Sequence, residues 1–221
     1  MSVLFEWPKR WNRAWTPWFV LLAVAAVVSF FFDGSVKTFM RDALPVDFAL
    51  FGRSVGIYGD WPWLMLIGLG GFFVCKWRRR RDGMRVFAVM MLASTLAGAS
   101  VNVVRLTSGR ARPSASITGW VGPVHEGKLT IGRHALNAFP SGHTATAFGF
   151  FGAILFTPWW RWGLLLFPFA WIIGISRLMT QSHHLSDVCV AIAAGLFVAA
   201  WSVILGPVWW ERFCAWRSAR P

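Results

Sequence analysis

Six apolar runs, at approximately 16–32, 61–77, 86–104, 141–157, 163–177 and 187–207, dominate the pattern of hydrophobic and polar positions along the chain. Several approach the length of about 20 residues that a helix needs to cross the hydrocarbon core, where the backbone must satisfy its own hydrogen bonds. The pattern predicts an all-α fold, a six-transmembrane-helix bundle with short non-cytoplasmic helices, as one integral membrane domain over residues 1–221. The runs beginning at Ser141 and Asp187 open on polar residues, as expected where a helix end lines a wet cavity instead of facing lipid. Within the stretch from Asp33 to Asp60, the spacing of Val46, Ala49, Leu50 and Arg53 predicts a short helix. Near the start, Trp7, Trp11, Trp15 and Trp18 fall on one helical face and Lys9, Arg10 and Arg13 on another, which predicts an interfacial N-terminal helix. Thr16 to Phe32 reads as an uncleaved first span, because no small-x-small cleavage site follows it.

Composition strengthens the membrane reading: 56% of the 221 residues are hydrophobic and only 14% charged, an apolar share above the soluble norm. The net charge of +13 would suit a nucleic-acid partner, but its distribution does not. The densest run, Lys76-Trp77-Arg78-Arg79-Arg80-Arg81, directly follows an apolar segment, where cationic anchors collect on the cytoplasmic side. Sorting the remaining basic residues at each span places both termini in the cytoplasm. No nucleic-acid partner is expected; the bilayer is. Tryptophans such as Trp61, Trp63, Trp77, Trp160 and Trp162 crowd the predicted span ends, where amphipathic rings suit the headgroup layer. Cys75, Cys189 and Cys214 are too few and too scattered for a disulfide framework or a metal cluster.

Three polar clusters fall on the non-cytoplasmic side of this arrangement: Arg105 to Pro113 after the third span, Pro140-Ser141-Gly142-His143 at the fourth, and Ser176-Arg177 to His183 and Asp187 between the fifth and sixth. Taken singly, each has a plain reading as headgroup anchor, turn, or local polar pair. Together they supply what phosphate cleavage requires. Arg105, Arg112 and Arg177 give forked donors for a dianion. Ser141 and Gly142 stand where a helix begins, so their N–H groups can hold an anion. His183 and Asp187, four apart, share a helical face on which the carboxylate can accept a ring N–H and leave the other nitrogen free to attack phosphorus. His143 is then the general acid for the leaving oxygen and the base that activates water against a phosphohistidine. The five histidines form no H-E-x-x-H pattern, so no metal or other cofactor is expected. His184 would point away from His183 on a helix and reads as a neighbour or substrate contact, while His125, Glu126, Lys128, Arg133, His134 and Asn137 sit in the connecting loop, where they read either as solvated surface or as residues that shape headgroup selection.

Arg105-x6-Arg112-Pro113, Pro140-Ser141-Gly142-His143 and Ser176-Arg177-x5-His183-x3-Asp187 resemble, in order and spacing, the three-part signature of the type 2 phosphatidic acid phosphatase superfamily. Arg105 departs from the usual lysine of that pattern; charge is kept while reach and geometry differ. The resemblance implies a six-helix membrane bundle, metal-independent hydrolysis, His183 as nucleophile with Asp187 as its partner, and His143 as acid and base. It also implies phosphate binding by Arg105, Arg112, Ser141, Gly142, His143 and Arg177. On this reading the chain acts in a bacterial inner membrane on a lipid phosphate presented at the outer, periplasmic face. Phosphatidylglycerophosphate, phosphatidic acid, undecaprenyl diphosphate and lipid A phosphates are all candidates, and the motifs do not choose among them. A lipid phosphotransferase using the same phosphohistidine and a non-catalytic binder or transporter of anionic lipids are the competing readings.

Overall fold

The computed structural model describes residues 11–218. Among the described residues eight α-helices carry the fold: α1 (Thr16–Ser29), α2 (Asp33–Asp42), α3 (Val46–Tyr58), α4 (Trp61–Trp77), α5 (Arg81–Ser108), α6 (Gly142–Leu155), α7 (Trp160–Met179) and α8 (Leu185–Ser218). Each of the six predicted apolar segments is helical, and the weak periodicity after Val46 marks a real helix, α3. The loop between α5 and α6 holds a small antiparallel hairpin, β1 (Val124–His125) paired with β2 (Lys128–Leu129).

Among the described residues four stretches are long and apolar enough to cross a membrane: Arg13–Asp42, Arg81–Ser108, Trp160–Met179 and Leu185–Gly206. The pair α3 and α4, bent by 55°, would add a fifth. The expected fourth span, α6, fails on length, since its 14 residues rise only roughly 21 Å against a hydrocarbon core of about 30 Å. Its environment explains how so short a helix is tolerated. α6 sits at the centre, packed against α5, α7 and α8, and Phe148, Phe150, Ala145, Ala147 and Ala153 are all fully buried. A helix wrapped by protein need not match the bilayer. Small residues let the backbones approach: a Cβ at Gly149 or Gly195 would stand 2.8 Å from the carbonyl oxygens of Ala93 and Ala145 respectively. The outer faces, by contrast, expose Trp18, Leu21, Leu66, Leu165 and Phe169, as lipid-facing positions do.

Of the predicted N-terminal helix, Trp7, Lys9 and Arg10 lie outside the described residues. What is described runs through a 3₁₀ turn, Arg13–Trp15, directly into α1. Trp11 packs on Phe19, Phe197 and Trp201, and Trp15 on Phe156, so these rings join the bundle.

Candidate active site

The three polar clusters meet at one end of the bundle, where α5 ends and α6 and α8 begin. α5 stops at Ser108 because Gly109 adopts a left-handed conformation (φ 61°), which glycine reaches without penalty; a Cβ there would collide with the Gly122 carbonyl. The chain then runs back over the bundle end. Arg112 donates its N–H to Ala135 O (2.8 Å) and Ala138 to Arg110 O (3.0 Å), tying the first cluster to the loop that leads into the second. Ser141 donates its N–H to Asp187 O (3.1 Å), and both Ser182 and His183 donate to the Arg177 carbonyl (3.1 and 3.2 Å). Backbone bonds therefore fix all three motifs against one another.

His183 is buried, with 4% of its surface exposed. It precedes α8 instead of lying on it, and this changes the pairing anticipated from the four-residue spacing. Its Nδ1 lies 2.6 Å from Ala138 O and 3.6 Å from Asp187 Oδ2. A carbonyl can only accept, so Nδ1 carries the proton and Nε2 keeps its lone pair. Burial first, then the charges of Arg112 and Arg177, hold the imidazole well below its ordinary value and so neutral. Asp187 stands behind the ring, where Oδ2 accepts the backbone N–H of His184 (2.7 Å) and Oδ1 the guanidinium of Arg110. His184 turns its Nε2 to Ala111 O at 3.1 Å, a structural contact in keeping with its expected divergence from His183.

Arg105, Arg112 and Arg177 are all partly buried, and each keeps a buried Nε with no partner inside the protein. Arg177 spends one Nη2 on Thr180 (3.1 Å) and Ser182 (3.3 Å). Arg112 is pushed down to about 10, by burial first and then by Arg105 and Arg177, which places the three guanidiniums within electrostatic reach of one another. Like charges so gathered repel, and a phosphate dianion would offset that cost with charge-assisted hydrogen bonds.

At the start of α6 the expectation is met in part. The Ser141 N–H, expected to be free, is engaged by Asp187 O, and its hydroxyl accepts from Thr144 at 2.8 Å. The N–H groups of Gly142 and His143 precede the first intrahelical bond, made by Ala145 to Ser141 O, and remain available to an anion. A Cβ at Gly142 would stand 3.2 Å from Arg105 Nη1; glycine keeps that approach open.

Four further residues at the site carry no catalytic or phosphate-binding role in the sequence reading. Asp60 caps α4, accepting from Trp61 N (2.8 Å), and its Oδ1 stands 3.5 Å from His143 Nε2. Asp33, at the start of α2, accepts from Ser186 N (2.8 Å) and Ser186 Oγ (2.6 Å). Arg110 bridges Asp33 and Asp187 beneath the rings of Trp120, Phe30 and Phe139, at 4.8, 5.3 and 5.7 Å. His134, in the connecting loop, lies near enough to Arg112 that this charge, more than burial, holds its imidazole below the ordinary value. An isolated acid after Phe30-Phe31-Phe32 was the available signal for Asp33, and Arg110 and His134 stood in the first cluster and the connecting loop; Asp60 had no signal.

A buried histidine ringed by arginines at one end of an apolar helical bundle defines a class, that of membrane proteins built to handle phosphate. The chain belongs to the PAP2 superfamily, whose sequence profile matches residues 83–211. It is 26% identical to a lipid A 1-phosphatase of Rhizobium etli, over 93% of this chain and 87% of that one. With a lipid A 1-phosphatase of Porphyromonas gingivalis it shares 38% identity, over 35% of this chain and 19% of that one. Two crystal structures have the same fold. LpxE of Aquifex aeolicus superposes with a TM-score of 0.52 at 20% identity, covering 77% of this chain and 94% of that one. A PAP2-type phosphatidylglycerolphosphate phosphatase of Bacillus subtilis superposes with 0.52 at 21%, covering 86% and 92%. The protein is a membrane phosphatase related to enzymes of lipid metabolism.

Proposed function

We propose that this protein is a metal-independent lipid phosphate phosphatase that works through a phosphohistidine on His183. The observation that carries the reading is the convergence of Arg105, Arg112 and Arg177, each with an unpartnered buried Nε, on a neutral imidazole whose Nδ1–H is committed to Ala138 O. Nε2 attacks phosphorus, the ester P–O bond breaks, and the departing oxygen takes a proton from His143. Water then attacks the phosphohistidine and gives its proton to His143; the N–P bond breaks and inorganic phosphate leaves. The three guanidiniums and the N–H groups of Gly142 and His143 carry the charge of the transferring group, with Ser141 positioning that turn. Asp187 supports the imidazolium that forms when His183 is phosphorylated. No metal ion is required in this scheme, because arginines supply the neutralisation.

Residues 1–221 form one domain in this proposal. It crosses a bacterial inner membrane six times, with α6 as an inner, short crossing and an interfacial segment before α1. Both termini are cytoplasmic and the site faces the periplasm. Of the four candidate substrates we rank a lipid A phosphate first, a choice supported by the similarity to lipid A 1-phosphatases. The test is phosphate release from those lipids by purified protein in detergent with EDTA, wild type against His183→Ala. Release by wild type alone is expected. Release that survives His183→Ala, or that EDTA abolishes, would overturn the scheme.

A further inference from the structure

The break between α3 and α4 carries a carboxylate that the proposed chemistry leaves unused. Gly59 closes α3 by donating its N–H to Val55 O (2.7 Å), and α4 opens two residues later after a bend of 55°. Asp60 stands in that break. Its Oδ1 accepts the Trp61 N–H (2.8 Å), and its backbone carbonyl accepts those of Trp63 and Leu64 (3.1 and 3.3 Å). Capping alone would explain an acceptor at this position. It does not explain the charge, because asparagine and serine cap as well as aspartate does.

The same Oδ1 lies 3.5 Å from Nε2 of His143, an ion-pair distance. Both side chains line a cavity of about 380 Å³ together with Arg105 and Gly142, and the charge of Asp60 reaches Arg105 and Arg177. A carboxylate placed here works against phosphate binding, since it repels the dianion and competes for the guanidiniums. His143 is the group it helps. To protonate a leaving oxygen the imidazole must first carry a positive charge, and the fixed cations of Arg105 and Arg177 bear on the same ring and oppose that charge. Three guanidiniums around a dianion leave one positive charge in excess; the carboxylate of Asp60 cancels it. The imidazolium charge is shared by both ring nitrogens, so a carboxylate beside Nε2 supports the acid whichever N–H is delivered. Among the described residues Asp60 is the carboxylate at ion-pair distance from His143.

Resting on the phosphatase reading above, we propose that Asp60 is a positioning residue for the first chemical step, holding the His143 imidazole in place and in its charged form until the leaving oxygen takes the proton. In that step the bond from His183 Nε2 to phosphorus forms and the ester P–O bond breaks with its electron pair going to oxygen. The proton passes from His143 to that oxygen, and Asp60 keeps its charge throughout. Asp60 therefore acts on the departure of the alcohol and not on the capture of phosphate.

The experiment uses the full chain in detergent with two phosphate esters of matched alkyl tail, one of an aliphatic alcohol and one of a nitrophenol. An alkoxide needs a proton as it leaves and a nitrophenolate does not, so the alkyl ester reports the acid and the aryl ester reports the rest of the site. Asp60→Asn keeps the cap on Trp61 N and removes the charge. Its melting temperature is expected to match that of the wild type. Its kcat/KM on the alkyl ester falls by roughly tenfold or more, and the loss on the nitrophenyl ester is several times smaller. Asp60→Ser, a second neutral cap, shows the same contrast and guards against a folding defect peculiar to the first variant. Equal losses on both esters, or variants as fast as the wild type on the alkyl ester, would overturn the role and reduce Asp60 to a cap, leaving the phosphatase reading in place. Absence of His183-dependent release from both esters would remove the phosphatase reading itself, and the role of Asp60 with it.

Discussion

As the proposed nucleophile, His183 faces opposed demands, since it must be neutral and must also stand among the cations proposed to hold the phosphate. Burial and the flanking charges of Arg112 and Arg177 meet both by disfavouring the protonated ring. This has a consequence for stability. The folded protein keeps His183 neutral at pH values where the unfolded chain, titrating near about 6.5, is protonated. Because the unfolded state then binds more protons, stability is full above that ordinary value and is lost as pH falls below it. The melting temperature in detergent should therefore drop between pH 7.5 and 5.5, and His183→Gln should drop by less. Parallel declines in the two proteins would show that the ring is not held neutral. At this scale the motif residues were legible because their chemistry is declared by type and spacing: arginines, a Pro-Ser-Gly-His turn, a His and an Asp four apart. What spacing could not show is that His183 lies before α8, so that its ring proton goes to Ala138, a residue 45 positions away. Asp60 was hidden for the same reason, being 83 positions from the histidine it faces.

Between elements, the connection that matters most is the one Arg110 makes. It ties the start of α2, through Asp33, to the first turn of α8, through Asp187, while Asp33 also accepts from Ser186 on that turn. The guanidinium and the Asp187 side chain are 7% and 0% exposed, so removing one partner strands buried charge. Arg110→Met should cost about 3–5 kcal/mol, read as a large fall in melting temperature and a matching fall in activity. Adding Asp33→Asn should recover part of the melting temperature by neutralising one stranded carboxylate. An unchanged melting temperature in Arg110→Met would mean that the network contributes nothing. The helices themselves were readable from hydrophobic runs, and even the weak period after Val46 marked α3. Their membrane roles were not, because a run's apolarity is the same whether lipid or protein surrounds it. α6 demonstrates this, being as apolar as a span and too short to be one unaided.

For the molecule as a whole, the proposed topology rests on charge and on where the site lies. The tetrad Arg78 to Arg81 lies between α4 and the body of α5, at the end of the bundle opposite the candidate site: α5 runs from Arg81 to Ser108, and Arg105 lies near its far end. In the proposed topology the positive-inside bias assigns that tetrad to the cytoplasm, and the site then lies on the other side. A hydrolase of outward-presented lipid phosphates needs this arrangement, because a headgroup is too polar to cross the hydrocarbon core to reach a buried histidine. Single cysteines in a background with Cys75, Cys189 and Cys214 replaced by serine can test it. A cysteine from Lys128→Cys, on the hairpin beside the site, should react with a membrane-impermeant maleimide added to spheroplasts. One from Arg79→Cys, between α4 and α5, should react only after permeabilisation. The reverse pattern would put the site in the cytoplasm and limit the enzyme to lipids of the inner leaflet, so the substrate candidates at the periplasmic face would fall together with the orientation.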